Sequence, residues 1–137
     1  MSAPKRPFFD TNVVVCLTSG QKARAEKAEE LIAKGGVISV QVLNEVASVA
    51  RRKIGLSWIE TREVLDALKA NLDVAPLTLS VHDRAIVLAE ADKINIYDAC
   101  IVAAAQENSC DAVLSEDMQR GRKFGAVTVR NPFLDQV

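Results

Sequence analysis

The chain has 137 residues, of which 49% are hydrophobic and 26% charged, and its formal net charge is −1. This balance is typical of one folded domain, which we expect to cover residues 1–137, and it excludes an intrinsically disordered chain. The near-neutral charge excludes the global basic field that many nucleic-acid-binding proteins carry. Any contact with nucleic acid must therefore depend on local patches and on metal ions.

The cysteines and the amino-terminal segment bear on the cellular location of the protein. Cys16, Cys100 and Cys110 are odd in number, form no CxxC motif and lie in or beside apolar segments. This pattern predicts reduced thiols and a cytoplasmic protein. The first seven residues lack the apolar segment of a signal peptide, and no apolar run approaches the roughly 18–20 residues that span a bilayer.

The first half of the chain alternates apolar runs with amphipathic segments. The predicted strands are 8–9 and 37–40, and the predicted helices are 12–17, 21–34, 41–53 and 57–71. Asn12 is the expected N-cap of the first helix. Ser57 and Glu60 have the spacing of a capping box, which predicts the start of the fourth helix.

The second half continues the alternation. The predicted strands are 73–78, 111–114 and 126–129, the predicted helices 80–93 and 99–107, and the predicted loops 95–97 and 118–124. Pro76 lacks a backbone N–H, which favours an edge position for its strand. Strands that alternate with helices from end to end predict a three-layer α/β/α sandwich with a mainly parallel central sheet.

Four acidic residues recur beside apolar segments. Asp10 and Asp117 each follow a predicted strand, while Glu45 and Asp98 lie in the first turns of predicted helices. We expect all four at the carboxyl edge of one sheet, where open α/β folds bind ligands. Any one of them alone could instead be a helix cap or a solvated loop residue.

Carboxylates that converge repel one another and persist as anions only around a cation. Oxygen ligands without histidine or cysteine favour Mg²⁺ or Mn²⁺ over Zn²⁺, and the single histidine, His82, lies on a separate predicted helix. Such ions activate water and stabilise charge on phosphoryl oxygens. Both are what the hydrolysis of a phosphodiester requires.

Four segments in chain order resemble the PIN domain, and in particular the VapC group of toxin ribonucleases. They are FDTNV at 9–13, SVQVLNE at 39–45, IYDACIVAAA at 96–105 and LSEDMQ at 114–119. The resemblance covers essentially the whole chain. It implies a PIN-like fold and an endoribonuclease that depends on Mg²⁺ or Mn²⁺, is paired with a small antitoxin and forms a homodimer.

By position, the resemblance also implies roles for individual residues. Asp10 and Asp98 match the principal metal ligands, and Glu45 and Asp117 match the other acidic members. The polar positions that orient these carboxylates match two further residues, Asn12 and Ser115. Glu116 competes with Asp117 for the last acidic position, and the family spacing favours Asp117.

Two basic segments could bind RNA. Arg52 follows Glu45 by seven residues, so in an α-helix the two share a face. Arg120, Arg122 and Lys123 follow Asp117 in a glycine-containing loop, where they could hold a phosphate. Cations at a helix end and in a solvated turn are the plain alternatives.

Other functions remain open at this point. A free-standing RNA-processing PIN nuclease and a non-catalytic PIN-fold binding module would share the same segments. A phosphatase of the haloacid dehalogenase type would need a second aspartate where this chain has Asn12.

Overall fold

The computed structural model describes residues 5–137, in which six strands form one sheet. The strands are β1 (Arg6–Phe9), β2 (Val37–Ser39), β3 (Asp73–Ala75), β4 (Cys110–Leu114), β5 (Lys123–Phe124) and β6 (Val127–Arg130). Their order is β3-β2-β1-β4-β6-β5. Only the β5/β6 pair is antiparallel. The position of β3 confirms the edge strand that Pro76 predicts.

Helices connect the strands. They are α1 (Thr11–Val14), α2 (Lys22–Ala33), α3 (Val40–Val49), α4 (Trp58–Asn71), α5 (Leu79–Asp92) and α6 (Ile96–Glu107). A 3-10 turn, Val15–Thr18, follows α1, and a π-helical turn, Ala50–Ile54, continues α3. Helices α1–α4 contact one another, while α5 contacts α6. The predicted three-layer α/β fold is confirmed.

The two central strands are buried on both faces, as is usual for parallel strands covered by helices. Phe8, Phe9, Val113 and Leu114 are almost completely inaccessible. Phe9 is paired with Leu114, so β1 and β4 end side by side. The chain continues from β1 to β2 on one side of this pair and from β4 to β5 and β6 on the other. These strand ends are therefore a topological switch point, the place where open α/β sheets bind ligands.

Some predicted boundaries were wrong because side chains cap the helices earlier than expected. Asp10, not Asn12, is the N-cap of α1 and accepts from the Thr11 N–H. Asn95 caps α6, so the predicted loop 95–97 is mostly helix. Asp and Asn are both strong N-caps, and propensity alone could not choose between neighbouring candidates.

The strand ends also differ. Ser39 caps α3, so β2 stops one residue early, and β3 ends at Ala75 rather than at 78. The predicted loop 118–124 contains β5, whose two residues pair with β6. A two-residue strand carries no periodicity that a sequence pattern could reveal.

Gly36 lies where the backbone before β2 passes close to β1. Its φ is +153°, and a Cβ there would lie 2.7 Å from both the Phe9 ring and the Pro7 carbonyl oxygen. We therefore expect Gly36→Ala to lower the free energy of unfolding by roughly 2–4 kcal/mol, measured by urea denaturation. Gly20→Ala, which meets no atom within 4 Å, is the matched control. Equal midpoints for the two variants would contradict the expectation.

All three cysteines are free thiols, with Cys16 and Cys110 buried and Cys100 half-buried. Burial raises the pKa of the Cys110 thiol to about 11, so this thiol is unreactive at neutral pH. Within residues 5–137, no helix has both the length and the apolar character to cross a membrane.

Candidate acidic active site

A cleft of about 440 Å³ opens at the carboxyl ends of β1 and β4. All four predicted carboxylates line it, namely Asp10, Glu45, Asp98 and Asp117. They come from the ends of two strands and from two helices, and they are up to 107 positions apart in the sequence (117 − 10). The sheet topology therefore brings together the residues that the sequence analysis grouped.

Asp10 is the most buried member of the group, with 7% of its surface exposed. Its carboxylate accepts from the Thr11 N–H at 2.8 Å, the Ser115 hydroxyl at 2.8 Å and the Asn12 amide at 3.1 Å. Burial raises the pKa of the Asp10 carboxyl from its usual 3.8 to about 6, although the hydrogen bonds from Ser115 and Thr11 oppose the shift. An anion held this far from water attracts a cation.

Asp98 lies in the first turn of α6 and is fixed by the residue that caps this helix. The Asn95 side chain accepts from the Asp98 N–H at 2.9 Å and donates to its carboxylate at 2.9 Å. Burial raises the pKa of Asp98, and the nearby charges of Asp117 and Glu45 act in the same direction. The carboxylates therefore lie close enough to repel one another.

Glu45 projects from α3 and is held by two residues that the sequence analysis missed. The Thr11 hydroxyl donates to one carboxylate oxygen, and the Gln41 amide donates to the other at 3.1 Å. Gln41 also donates to the Tyr97 carbonyl at 3.3 Å, which joins α3 to α6. Gln41 precedes Glu45 by four residues, a helical spacing that could have revealed it.

Asn12 and Ser115 orient the carboxylates at the strand ends. The Asn12 amide donates to Asp10 at 3.1 Å and to Asp117 at 3.2 Å, and its oxygen accepts from the Glu116 N–H at 3.0 Å. The Glu116 side chain instead forms an ion pair with Arg24 and does not line the cleft. Of the two neighbouring acids, Asp117 is the one in the site.

Ser115 is fully buried, and its hydroxyl also accepts from the N–H groups of Asp117 and Met118, both at 3.2 Å. Ser115→Ala removes the acceptor of these two N–H groups and one of the three hydrogen bonds that Asp10 accepts. We expect it to lower the free energy of unfolding by about 1–3 kcal/mol and to weaken any activity that needs Asp10. Ser48→Ala, on the exposed side of α3, is the control for thermal denaturation. An unchanged midpoint in Ser115→Ala would contradict the expectation.

Among residues 5–137, four carboxylates and no histidine or cysteine line the cleft. These oxygen donors fit a hard divalent cation. Within residues 5–137, no three acidic, histidine or cysteine side chains are gathered as a metal site requires. Instead, hydrogen bonds hold two of the carboxylates: Glu45 accepts from Thr11 and Gln41, and Asp117 accepts from Asn12.

The predicted RNA-binding cations lie outside the cleft lining. Arg120 pairs with Asp135, Arg122 binds the Asp92 carbonyl and carboxylate, and Lys123 belongs to β5. Arg52 is also absent from the lining, whereas its neighbour Lys53 is part of it. The partners of Arg120 and Arg122 are distant in the sequence, so no local sequence pattern could predict these contacts.

Comparisons with known proteins agree with this architecture. A family model described as the PIN domain matches residues 8–122. A toxin–antitoxin complex from Klebsiella pneumoniae superposes with a TM-score of 0.69 at 21% identity, covering 92% of this chain and 97% of that one. VapC20 from Mycobacterium tuberculosis, a toxin that cleaves the sarcin–ricin loop, gives 0.65 at 21% identity, with 81% and 89% covered.

A DNA-bound VapBC complex from Salmonella typhimurium superposes with a TM-score of 0.69 at 16% identity, covering 94% of this chain and 99% of that one. The comparison with curated proteins gave no match. Identities this low carry the fold alone, but the family model spans most of the chain, from β1 into the segment before β5. The chain is a member of the PIN domain family.

Proposed function

We propose that the protein is a metal-dependent endoribonuclease of the VapC type, the toxin of a type II toxin–antitoxin pair. The observation that carries the proposal is the cleft at the β1/β4 switch point, lined by Asp10, Glu45, Asp98 and Asp117. Membership in the PIN family and likeness in fold to toxins of toxin–antitoxin systems support it.

In this proposal, Asp10 and Asp98 are the principal ligands of Mg²⁺ or Mn²⁺, and Glu45 and Asp117 complete the set directly or through water. The bound ion would supply Lewis acidity, activating water and stabilising charge on the phosphoryl oxygens. The protein supplies the rest by positioning. Asn12 and Ser115 hold Asp10 and the 115–117 turn together, and Gln41 fixes Glu45.

The contacts of Asn12 also weigh against the phosphatase alternative. A haloacid dehalogenase-type enzyme would use Asp10 as a nucleophile and a second acid two residues later. Here the second position is an amide that donates to both Asp10 and Asp117. An amide cannot act as a general acid or base in place of a carboxylate, so the arrangement favours hydrolysis by water.

Partners follow from the same proposal. We propose a small antitoxin that covers the cleft, a homodimer of the toxin and a cytoplasmic location. The similarity in fold to chains of toxin–antitoxin complexes supports the antitoxin. A free-standing RNA-processing nuclease would have the same site without such a partner, and a non-catalytic module would bind RNA without cutting it.

The deciding experiment is RNA cleavage by the purified protein, with total cellular RNA as substrate and sequencing of the new ends. Cleavage in Mg²⁺ or Mn²⁺ that EDTA abolishes is the expected result. Asp98→Asn should remove the activity, and Glu63→Gln, an exposed acid on α4 outside the cleft, should not. Cleavage that persists in EDTA, or in Asp98→Asn, would contradict the proposal.

The partner is tested separately, by co-expressing the chain with the small open reading frame beside its gene. A toxin of this type should arrest growth alone and be neutralised by that product. A chain that cleaves RNA without affecting growth would be the free-standing nuclease.

A further inference from the structure

The cleft contains a cation that neither the sequence pattern nor the proposed metal chemistry requires. Within residues 5–137, Lys53 is the one basic side chain that lines the cleft. It belongs to the π-helical turn Ala50–Ile54 at the end of α3, and it is exposed. No carboxylate in the described part of the chain lies within ion-pair distance of it.

The π turn explains why Lys53, and not Arg52, reaches the cleft. The residues of this helix that line the cleft are four positions apart, namely Gln41, Glu45, Val49 and Lys53. In a continuous α-helix with 3.6 residues per turn, each residue of such a stripe is rotated about the helix axis by about 40° relative to the residue four positions earlier. A π turn holds more residues per turn and reverses the drift, so the fourth member returns to the cleft.

The neighbouring arginines have other surroundings. The Arg51 guanidinium donates to the Leu56 carbonyl at 2.7 Å and lies over the Trp58 ring, 4.5 Å from its centre. Arg52 is exposed but does not line the cleft. Of the three cations in 51–53, only Lys53 lines the cleft together with the carboxylates.

We propose that Lys53 binds an RNA phosphate next to the one that is cut, an assignment that depends on the proposed ribonuclease function. Eight residues separate Glu45 from Lys53, which is about 12 Å along a helix axis. A separation of this size suits a phosphate that neighbours the one at the carboxylates. Four acidic side chains repel an approaching RNA, so a phosphate outside the metal centre needs a cation.

The test measures RNA binding in protein that does not cut. In an Asp10→Asn background with Mg²⁺ present, fluorescence anisotropy follows an RNA oligonucleotide that the unmodified protein cleaves. Lys53→Met should weaken binding roughly 10-fold, and the slope of log affinity against log salt should fall by about 0.7, as for one phosphate contact on single-stranded RNA. Lys53→Arg should restore most of both. Lys69→Met, an exposed lysine of α4 paired with Asp66, is the neutral control.

Two results would overturn the assignment of Lys53 alone. One is a Lys53→Met variant that binds as its parent does or that loses affinity with an unchanged salt slope. The other is a larger loss in Arg52→Met than in Lys53→Met, which would restore the α-helical register. If the unmodified protein does not cleave RNA and the Asp10→Asn parent does not bind it, the proposed ribonuclease function fails and Lys53 fails with it.

Discussion

Asp10→Asn is expected to reduce RNA cleavage by at least about 10³-fold, equivalent to roughly 4 kcal/mol of transition-state stabilisation. The reason is the loss of the buried negative charge that faces the other carboxylates in the cleft. The fold should remain, because asparagine caps a helix about as well as aspartate and the substitution barely changes the volume. Cleavage rates, with circular dichroism on the same sample, check both parts.

Asp66→Asn is the matched control for this variant. Asp66 is an exposed carboxylate on α4, paired with Lys69 and outside the cleft lining. Its rate should equal that of the unmodified protein. If a folded Asp10→Asn protein retained a tenth or more of the activity, Asp10 would not be a residue that cleavage requires.

The second large effect concerns stability without metal. The pKa of Asp10 is about 6 in the folded protein and its usual value is 3.8, so the folded state binds the proton more tightly than the unfolded state. Stability from this group is therefore present below pH 4 and is lost as the pH rises towards 6. The loss is about 3 kcal/mol at 1.36 kcal/mol per pKa unit. The raised pKa of Asp98 acts in the same direction.

Thermal denaturation in EDTA at pH 5 and at pH 7.5 measures this effect. Between these two pH values the loss is about 1.4 kcal/mol, because only about one pKa unit of the shift lies above pH 5. The melting temperature should therefore fall by about 5 °C for a chain of this size, and the fall should be smaller in Asp10→Asn. Saturating Mg²⁺ or Mn²⁺ at pH 7.5 should recover much of it, because a ligand of the folded state stabilises that state. An identical pH dependence in both proteins would show that Asp10 is not the titrating group.

The sequence was sufficient for the features that depend on periodicity and strand ends. Alternating apolar and amphipathic segments predicted the layered sheet, and acids after apolar runs predicted the contents of the cleft. Asp10, Glu45, Asp98 and Asp117 do line one cavity. Parallel strands expose their carboxyl ends at one edge, so this result follows from topology without knowledge of any contact.

Features that depend on local hydrogen-bond choices or on distant partners were not predictable. The segment ARRKI at 50–54 has no marker of a π turn. An α-helical spacing therefore places Arg52 on the face of Glu45, whereas Lys53 is the residue that lines the cleft. Nothing in the sequence indicated that Arg120 and Arg122 have acidic partners, because Asp135 and Asp92 lie 15 and 30 residues away. Long-range ion pairs leave no pattern in a single sequence.

The hydrogen bond between Ser115 and Asp10 joins residues 105 positions apart. This separation determines when the cleft can assemble during synthesis of the chain. An emerging chain carries Asp10 and Glu45 early, but the β4 strand that places Ser115 and Asp117 is made last among the site elements. Contacts of such sequence separation form late, after their loops close. The cleft is therefore complete only after about 85% of the chain has been made (117 of 137 residues).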